Sequence, residues 1–269
     1  MSSAAELLSR RELLWNLTLR EIRGRYKRSA LGWTWSMLNP LATMAIFTFV
    51  FGVVLEGQPP VGDPSGLKVY ALFLICGLLP WNFFSVSVSV GMASIVANGG
   101  LVKKVAFPRE HLVISTVAAG LWTFGIELIV LSAVLLIAGN MVLPWLPLVV
   151  VAAFLTAIFA TGLGLALAAA NVYFRDLTYL WGIVVQAWFF GTPLVYKPSD
   201  VEGRVPDWLF RIFNDLPMAV VARLFRALLY DLRMPRLIDF GLLAGYGVVA
   251  LAFGWWLFDR LEGRFAEEL

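Results

Sequence analysis

Few side chains in this sequence are of types that could carry out acid–base or metal chemistry. Cys76 is the only cysteine and His111 the only histidine, so a metal site built from several such residues is excluded. One acidic residue, Glu127, lies inside a long apolar stretch, where burying a charge is costly. Such a residue either has a function or bonds to a neighbouring helix. No catalytic residue and no metal site is predicted.

The composition indicates which elements position these residues. Of the 269 residues, 60% are hydrophobic and only 14% are charged, whereas soluble domains carry about 25% charged residues. Together with a mean hydropathy of +0.80, this predicts an integral membrane protein. Six stretches are close to or above the roughly 20 apolar residues that a helix needs to span a bilayer, which predicts an all-α architecture. They are Trp33–Leu55, Val69–Ala97, His111–Ala138, Trp145–Ala170, Tyr179–Tyr196 and Leu237–Phe258.

The positions of lysine and arginine predict the orientation, because cytoplasmic loops are enriched in both. The first 32 residues carry seven of them, the loop after the second span carries Lys103, Lys104 and Arg109, and the loop after the fourth span carries Arg175. Both termini are therefore expected in the cytoplasm. The chain would then consist of a cytoplasmic segment, a six-span domain and a cytoplasmic tail, at 1–32, 33–258 and 259–269.

A basic cluster immediately precedes the first span. A helix between Leu14 and Arg28 would place an apolar stripe on one face with cations beside it. This pattern is typical of a helix that lies in the membrane interface and meets anionic lipid headgroups, although a basic flank that only sets orientation is an alternative. A nucleic-acid partner is not expected, since the cations adjoin a span. The predicted anchor residues are Trp15, Leu19, Ile22, Tyr26, Arg23 and Arg25.

The segment 197–236 lacks a long apolar run and is predicted to form two short helices on the outer side. The first would cover Asp207–Phe213 and the second Pro217–Tyr230, with the proline in the first turn. In the second helix Arg223 and Arg226 would share a polar face with Tyr230. The pair is therefore predicted to be amphipathic, and either re-entrant or lying on the surface.

Four blocks of the sequence resemble, in the same order, those of ABC-type polysaccharide exporter permeases, the membrane subunits that export O-antigen, capsule, teichoic acid or related glycans. The blocks are LTLREIRGRYKRSALGWTWSMLNPL, GLLPWNFFSVSVS, LVKKVAFPRE and NVYFRDLTYLWGIVVQAWFFGTPLVY, within roughly Leu14 to Leu261. The resemblance implies a homodimer of six-helix subunits in the cytoplasmic (inner) membrane, paired with two copies of a separate ATPase subunit. ATP and magnesium would be bound by that partner, and this chain contains no G-x-x-x-x-G-K-[ST] phosphate loop.

On this resemblance the chain is expected to move a lipid-linked polysaccharide across the membrane without catalysing a reaction itself. The conduit should lie between two copies, because one copy has too few helices to surround a wide polar path. Two alternatives remain, a permease of the same class for a drug or a lipid, and a membrane-embedded glycan enzyme. The enzyme is disfavoured because the outer acidic residues are scattered and form no acid–base constellation. They are Asp200, Glu202, Asp207 and Asp215.

Aromatic side chains are the candidates for contact with the glycan, because sugar rings present C–H faces that stack on aromatic rings. The alternative for most of them is the belt of tryptophan and tyrosine at the membrane interface. The candidates for the substrate path are Trp188, Phe189, Phe190, Trp81, Phe84 and Tyr196.

The cytoplasmic loops are the expected contacts with the ATPase. Gly99 and Gly100 are expected to break the preceding helix, after which 101–107 would form a short coupling helix that Pro108 ends. Two of its apolar side chains would enter a groove of the partner, although these loops could also serve only to set the topology. The coupling candidates are Val102, Lys103, Lys104, Phe107, Arg109, Arg175 and Asp176.

Overall fold

The structure is a computed structural model that describes residues 11–26, 31–32, 34–54, 60–105, 107–196, 203 and 206–269. Two predicted anchor side chains, Arg25 and Tyr26, lie outside the described side chains, and the acidic residues Asp200 and Glu202 lie outside the described residues.

Every regular element in these ranges is helical, which confirms the all-α prediction. In chain order the helices are α1 (Arg11–Tyr26), α2 (Thr34–Phe47, continued by a π-helical segment, Thr48–Val54), α3 (Tyr70–Ala97), α4 (Gly99–Lys104), α5 (Glu110–Ile137), α6 (Leu146–Tyr173, preceded by a 3₁₀ turn, Leu143–Trp145), α7 (Leu177–Gly191), α8 (Asp207–Asp215), α9 (Pro217–Phe225, continued by a π-helical segment, Arg226–Asp231), α10 (Leu237–Leu261) and α11 (Phe265–Glu268, preceded by a 3₁₀ turn, Glu262–Arg264).

The six predicted spans correspond to α2, α3, α5, α6, α7 and α10. Four of them, α3, α5, α6 and α10, are long and apolar enough to cross a membrane. The apolar helices within α2 and α7 are shorter. At 1.5 Å per residue, the 15 residues of α7 extend over about 22 Å, which is less than the roughly 30 Å thickness of the hydrocarbon core. The fifth span therefore consists of a short helix and the buried turn that follows it at Thr192–Leu194.

Helix α3 is the centre of the subunit and packs against α2, α5, α6 and α9. Most of its residues are buried, including Phe84 and Val88 at 0% exposure. On one side α6 and α10 form the most extensive helix pair. Gly162 and Gly254 lie at their contact, where a Cβ added to Gly254 would collide with the carbonyl oxygen of Gly162. Small residues of this kind allow membrane helices to approach closely.

The two short helices before the last span are confirmed as α8 and α9. The predicted polar face of the second helix is mostly buried, which the amphipathic pattern did not indicate. Most residues of helix α9 and its π-helical continuation are buried. Arg226 is 8% exposed and Tyr230 is 1% exposed. Their polar atoms bond to backbone groups of other elements, which the helical pattern of the segment alone could not indicate. Of the predicted polar face, only Arg223 remains half-buried, with its guanidinium on the Asp239 carboxylate at 2.7 Å.

The buried Arg226 side chain joins α9 to α3 and to the end of α7. Its Nε donates to the Phe73 carbonyl oxygen at 3.3 Å, and Nη1 donates to the Pro193 carbonyl oxygen at 2.6 Å. Nη2 donates to the carbonyl oxygen of Leu194. The guanidinium carbon also lies 3.9 Å from the centroid of the Phe73 ring. Next to it, Gly77 has no side chain, and an added Cβ would lie 3.0 Å from Nη2.

At the C-terminal end of the π-helical segment, side chains of other elements also bond to backbone carbonyl groups. The Asn140 side-chain amide donates to the carbonyl oxygens of Leu229 and Tyr230 at 2.7 and 3.2 Å. The Tyr230 hydroxyl donates to the Leu67 carbonyl oxygen at 2.9 Å. Carbonyl groups at a helix end have no partner within the helix, and the Asn140 amide supplies partners for those of Leu229 and Tyr230.

Replacement of Arg226 by alanine is expected to destabilise the subunit by at least about 3 kcal/mol, because buried carbonyl groups each cost roughly 1–3 kcal/mol when they lose a partner. Arg226→Lys should be intermediate, since an ammonium lacks the planar set of donors that a guanidinium offers. Thermal unfolding of the detergent-purified protein measures this. Arg233→Ala is the control, because the Arg233 side chain is 54% exposed and its ion pair with Asp231 should contribute about 0–1 kcal/mol. Equal unfolding temperatures for Arg226→Ala and Arg233→Ala would contradict the assignment.

Candidate functional site

Five aromatic side chains from α3, α6 and α7 form one cluster. Trp188 makes edge-to-face contacts with Trp81, Phe84 and Phe159 at centroid distances of 6.2, 5.3 and 6.4 Å. Phe189 packs on Trp81 at 5.6 Å, and Phe84 stacks on Phe159 at 5.2 Å. Such pairs are favourable beyond the apolar area they bury, so the cluster holds α7 against the centre of the subunit.

This packing divides the predicted path residues into two groups. Trp81 and Phe84 are 3% and 0% exposed, so they have no free surface in this subunit with which to contact a glycan. Phe190 is 62% exposed, and Trp188 and Phe189 are half-buried. The Tyr196 hydroxyl donates to the Phe190 carbonyl oxygen at 3.1 Å. The structure therefore brings the six residues together, but only those on α7 and the turn after it can contact a ligand.

Glu127 lines a pocket between α2, α3 and α5. The pocket has a volume of about 280 Å³. Its polar lining comes from Asn39 and Thr43 of α2, Asn82 and Ser87 of α3, and Thr123 and Glu127 of α5. Phe83 and Phe124, stacked at a centroid distance of 4.8 Å, form an apolar wall of the same pocket. Sequence reasoning found the acidic residue but missed the asparagines, because only the packing of three helices brings them beside it.

Helix α1 packs along α5 at the end of the molecule that also carries α4 and α11, here called the tail end. Trp15, Leu19 and Ile22 of the predicted stripe line one groove of about 580 Å³ together with Trp122 of α5. Within this stripe Ile22 is buried and Trp15 is 61% exposed. Arg23 is exposed at the groove. The anchoring role of these residues stays a prediction.

The predicted coupling helix is shorter than expected. It runs from Gly99 to Lys104, and Val105 is extended. The glycines begin this helix, and the break after α3 falls at Asn98. Val102 is 3% exposed and packs within its own chain, so the prediction that it enters a partner's groove is wrong. Lys103 and Lys104 are exposed, as are Arg175 and Asp176 on the neighbouring loop, whereas Phe107 is half-buried.

The tail after the last span folds back against the tail end. Phe265 is fully buried and contacts Phe258 at a centroid distance of 5.3 Å. Arg109, which we predicted to contact the ATPase, instead donates to the backbone oxygen of Glu262, and its guanidinium lies 5.9 Å from the Phe265 ring. The Tyr173 hydroxyl donates to the Leu261 carbonyl oxygen at 2.9 Å. Arg109 therefore fastens this chain's own tail.

Sequence reasoning placed Arg226 on a polar helix face and missed its burial. The signal was available, because VVARLFRALLY is apolar on both sides of the arginine and too short to span a membrane. An arginine in such a run must find internal acceptors or reach water. The choice between these two could not be made without the positions of Phe73 and Leu194.

Six apolar helical segments with α3 at their centre, and buried backbone groups that bond to internal side chains, define a polytopic α-helical membrane protein. Residues 12–230 match the family described as ABC-2 type transporter. The chain belongs to this family and is the membrane component of a transporter.

Several relatives are similar along nearly their whole length. The O-antigen export system permease protein RfbA of Myxococcus xanthus is 31% identical over 264 residues, which cover 98% of each chain. A protein of the same name from Klebsiella pneumoniae is 30% identical over 96% of this chain and 95% of its own. The polysialic acid transport protein KpsM of Escherichia coli is 24% identical over 91% of this chain and 92% of its own.

Two aromatic substitutions should separate packing from substrate contact. Trp81→Ala removes a buried ring, which typically costs about 3–5 kcal/mol, and should lower the yield of folded protein. Phe190→Ala removes an exposed ring and should leave the yield near wild type while lowering export per molecule. Quantitative immunoblotting of membranes together with surface-glycan measurement tests both. If export per molecule is unchanged in Phe190→Ala, Phe190 does not contact the substrate.

Proposed function

We propose that this chain is the membrane subunit of an ATP-driven exporter that moves a lipid-linked polysaccharide across the cytoplasmic membrane. The observation that carries the proposal is the similarity, along nearly the whole chain, to proteins named as permeases for O-antigen export and as a polysialic acid transport protein. Membership of the ABC-2 type transporter family agrees with it. The glycan would belong to the same broad class, O-antigen, capsule, teichoic acid or a related cell-wall polymer.

The proposed path runs between two copies of the chain. Helices α2 and α7 lie on the outside of the subunit and expose much of their surface, including Trp35 at 51% and Ile183 at 66%. Between them α3 exposes Asn82 and Val86. A second copy facing this side would enclose a conduit with α2, α3 and α7 as its walls. The half-buried Trp188 and the exposed Phe190 belong to α7, which supports their contact with the glycan.

The energy would come from two copies of an ATPase subunit that bind ATP and magnesium and dock at the tail end. In this proposal the tail end and both termini face the cytoplasm, as the distribution of lysine and arginine predicts. The docking surface is narrower than the sequence suggested, because Val102 and Arg109 contact their own chain. Lys103, Lys104 and Asp176 are exposed there and remain the proposed contacts. Arg175 is also exposed and remains one, although its guanidinium makes a long hydrogen bond of 3.5 Å to the Leu269 backbone oxygen.

Deletion of the gene, with restoration from a plasmid, tests the cargo. The surface polysaccharide should disappear in the deletion strain, and its lipid-linked precursor should accumulate on the cytoplasmic side. Both effects should reverse with the wild-type chain. A normal surface glycan together with retention of a drug or a lipid would contradict the proposal and support a permease for that other cargo.

Replacement of both lysines of α4, Lys103→Gln with Lys104→Gln, is expected to weaken docking of the ATPase. Exposed ion pairs contribute roughly 0.2–1 kcal/mol each, so the loss of two corresponds to about a fivefold weaker association. Co-purification of the two subunits and the ATPase activity of the complex measure this. Lys68→Gln, exposed in the loop before α3, is the matched control. Undiminished co-purification of the double variant would remove α4 as a docking element.

A further inference from the structure

The polar pocket between α2, α3 and α5 lies at the depth of the hydrocarbon core. Both α3 and α5 have 28 residues and are about 42 Å long, so a core of about 30 Å covers roughly their central 20 residues. Asn82 is the thirteenth residue of α3, and Glu127 is the eighteenth residue of α5. Asn82 and Glu127 are therefore too far from either end of their helices to reach interfacial water along the helix.

Both lining asparagines are exposed on the subunit surface. Asn39 and Asn82 are both in the exposed class, Glu127 is half-buried, and all three border the pocket. Placing the amide groups of Asn39 and Asn82 against lipid chains would cost several kcal/mol for each amide that has no partner. This face of the subunit therefore meets a polar environment rather than lipid.

One buried group points to a ligand independently. The Ser87 hydroxyl is fully buried at the pocket and has no hydrogen-bond partner within the described part of the chain. Buried hydroxyl groups are nearly always hydrogen-bonded in folded proteins, so a missing partner indicates water or a ligand. The backbone opposite is Gly120, where an added Cβ would collide with this hydroxyl. The absence of a side chain at that position keeps the space beside Ser87 open.

We propose that this pocket is a sugar-binding subsite on the wall of the conduit, an inference that rests on the proposed function. The amides of Asn39 and Asn82 can both donate to and accept from sugar hydroxyls, and the Glu127 carboxylate accepts from them. Phe83 and Phe124 offer an apolar wall to the C–H groups of the ring. The volume of about 280 Å³ is close to the lower end of small-molecule sites, about 300 Å³, and well above what one water molecule needs.

The subsite explains why a conduit with an aromatic wall on α7 also has polar groups on its other wall. A hydroxyl-rich polymer loses hydrogen bonds to water when it enters a narrow path. Side chains of both donor and acceptor character replace these bonds without selecting one sugar. Glycan hydroxyl groups are thus the ligand class that the pocket matches, and export requires that each contact be weak enough to release.

Cysteine labelling in cells that contain the complete transporter tests whether water and glycan reach the pocket. The wild-type chain provides the background, because its only cysteine, Cys76, is buried. Asn82→Cys should react with a membrane-impermeant methanethiosulfonate reagent at least tenfold faster than Ile129→Cys. Ile129 lies two residues from Glu127 on α5 and is 70% exposed, so it is a control for a lipid-facing position at similar depth. Equal and negligible labelling of both variants would overturn the proposal.

The same labelling in cells with and without glycan synthesis identifies the occupant. Labelling of Asn82→Cys should slow at least threefold when lipid-linked glycan is present, compared with an otherwise identical strain that lacks the first glycosyltransferase. Fast labelling without such protection would mean a water-filled pocket only and would overturn the subsite. Protection by sodium chloride in the strain without glycan would assign a cation site and would also overturn it.

Variants of Glu127 supply a second measurement that keeps the subsite separate from the proposed function. Glu127→Leu should lower export per molecule at least fivefold, and Glu127→Gln, which keeps hydrogen-bonding capacity, should restore most of it. Equal export in both variants and the wild type would overturn the subsite while leaving the proposed function intact. If the deletion strain itself exports the glycan normally, that result contradicts the proposed function, independently of the Glu127 variants.

Discussion

The structure depends on hydrogen bonds to the backbone at the end of α7, a helix too short to cross the membrane. Helix α7 is about 22 Å long, so its last carbonyl groups and the turn at Pro193 and Leu194 lie where water is scarce. Arg226 supplies the donors for this turn, and it reaches them because α9 is buried beside α3. A helix C-terminus also favours a cation electrostatically. This contact therefore links the end of the short α7 to the buried α9.

This arrangement determines which surfaces are available for function. The aromatic cluster packs α7 against α3 beside this turn. Trp81 and Phe84 are therefore used for packing rather than for recognition. The outward side of α7 keeps Phe190, and the side of α2 and α3 keeps the polar pocket around Glu127. A conduit between two copies would thus combine an aromatic wall with a polar one. At the tail end Arg109 contacts Phe265 of the chain's own tail. The two lysines of α4 are exposed there.

The positions of the spans could be predicted because they depend on local properties. The runs that became α3, α5, α6 and α10 are recognisable from about 20 consecutive apolar residues each, and their observed bounds differ only slightly from the expected ones. Pro217 begins α9 as expected, because a proline is tolerated in the first turn of a helix. The coupling loop was less predictable, since the burial of Val102 depends on α1 and α11, which are distant in sequence.

The sequence by itself determined the class of the protein, the number of apolar segments and the family it resembles, because composition and hydropathy act residue by residue along the chain. Only the tertiary structure decided which polar residues face inward. Arg226 and Tyr230 have the spacing of an exposed helical face, yet both are buried because Phe73, Leu194 and Leu67 supply acceptors. The reverse holds for Asn82, which sits in an apolar run and is exposed. In a membrane the position of a polar group is set by the partner it can reach, and that partner is usually far away in sequence.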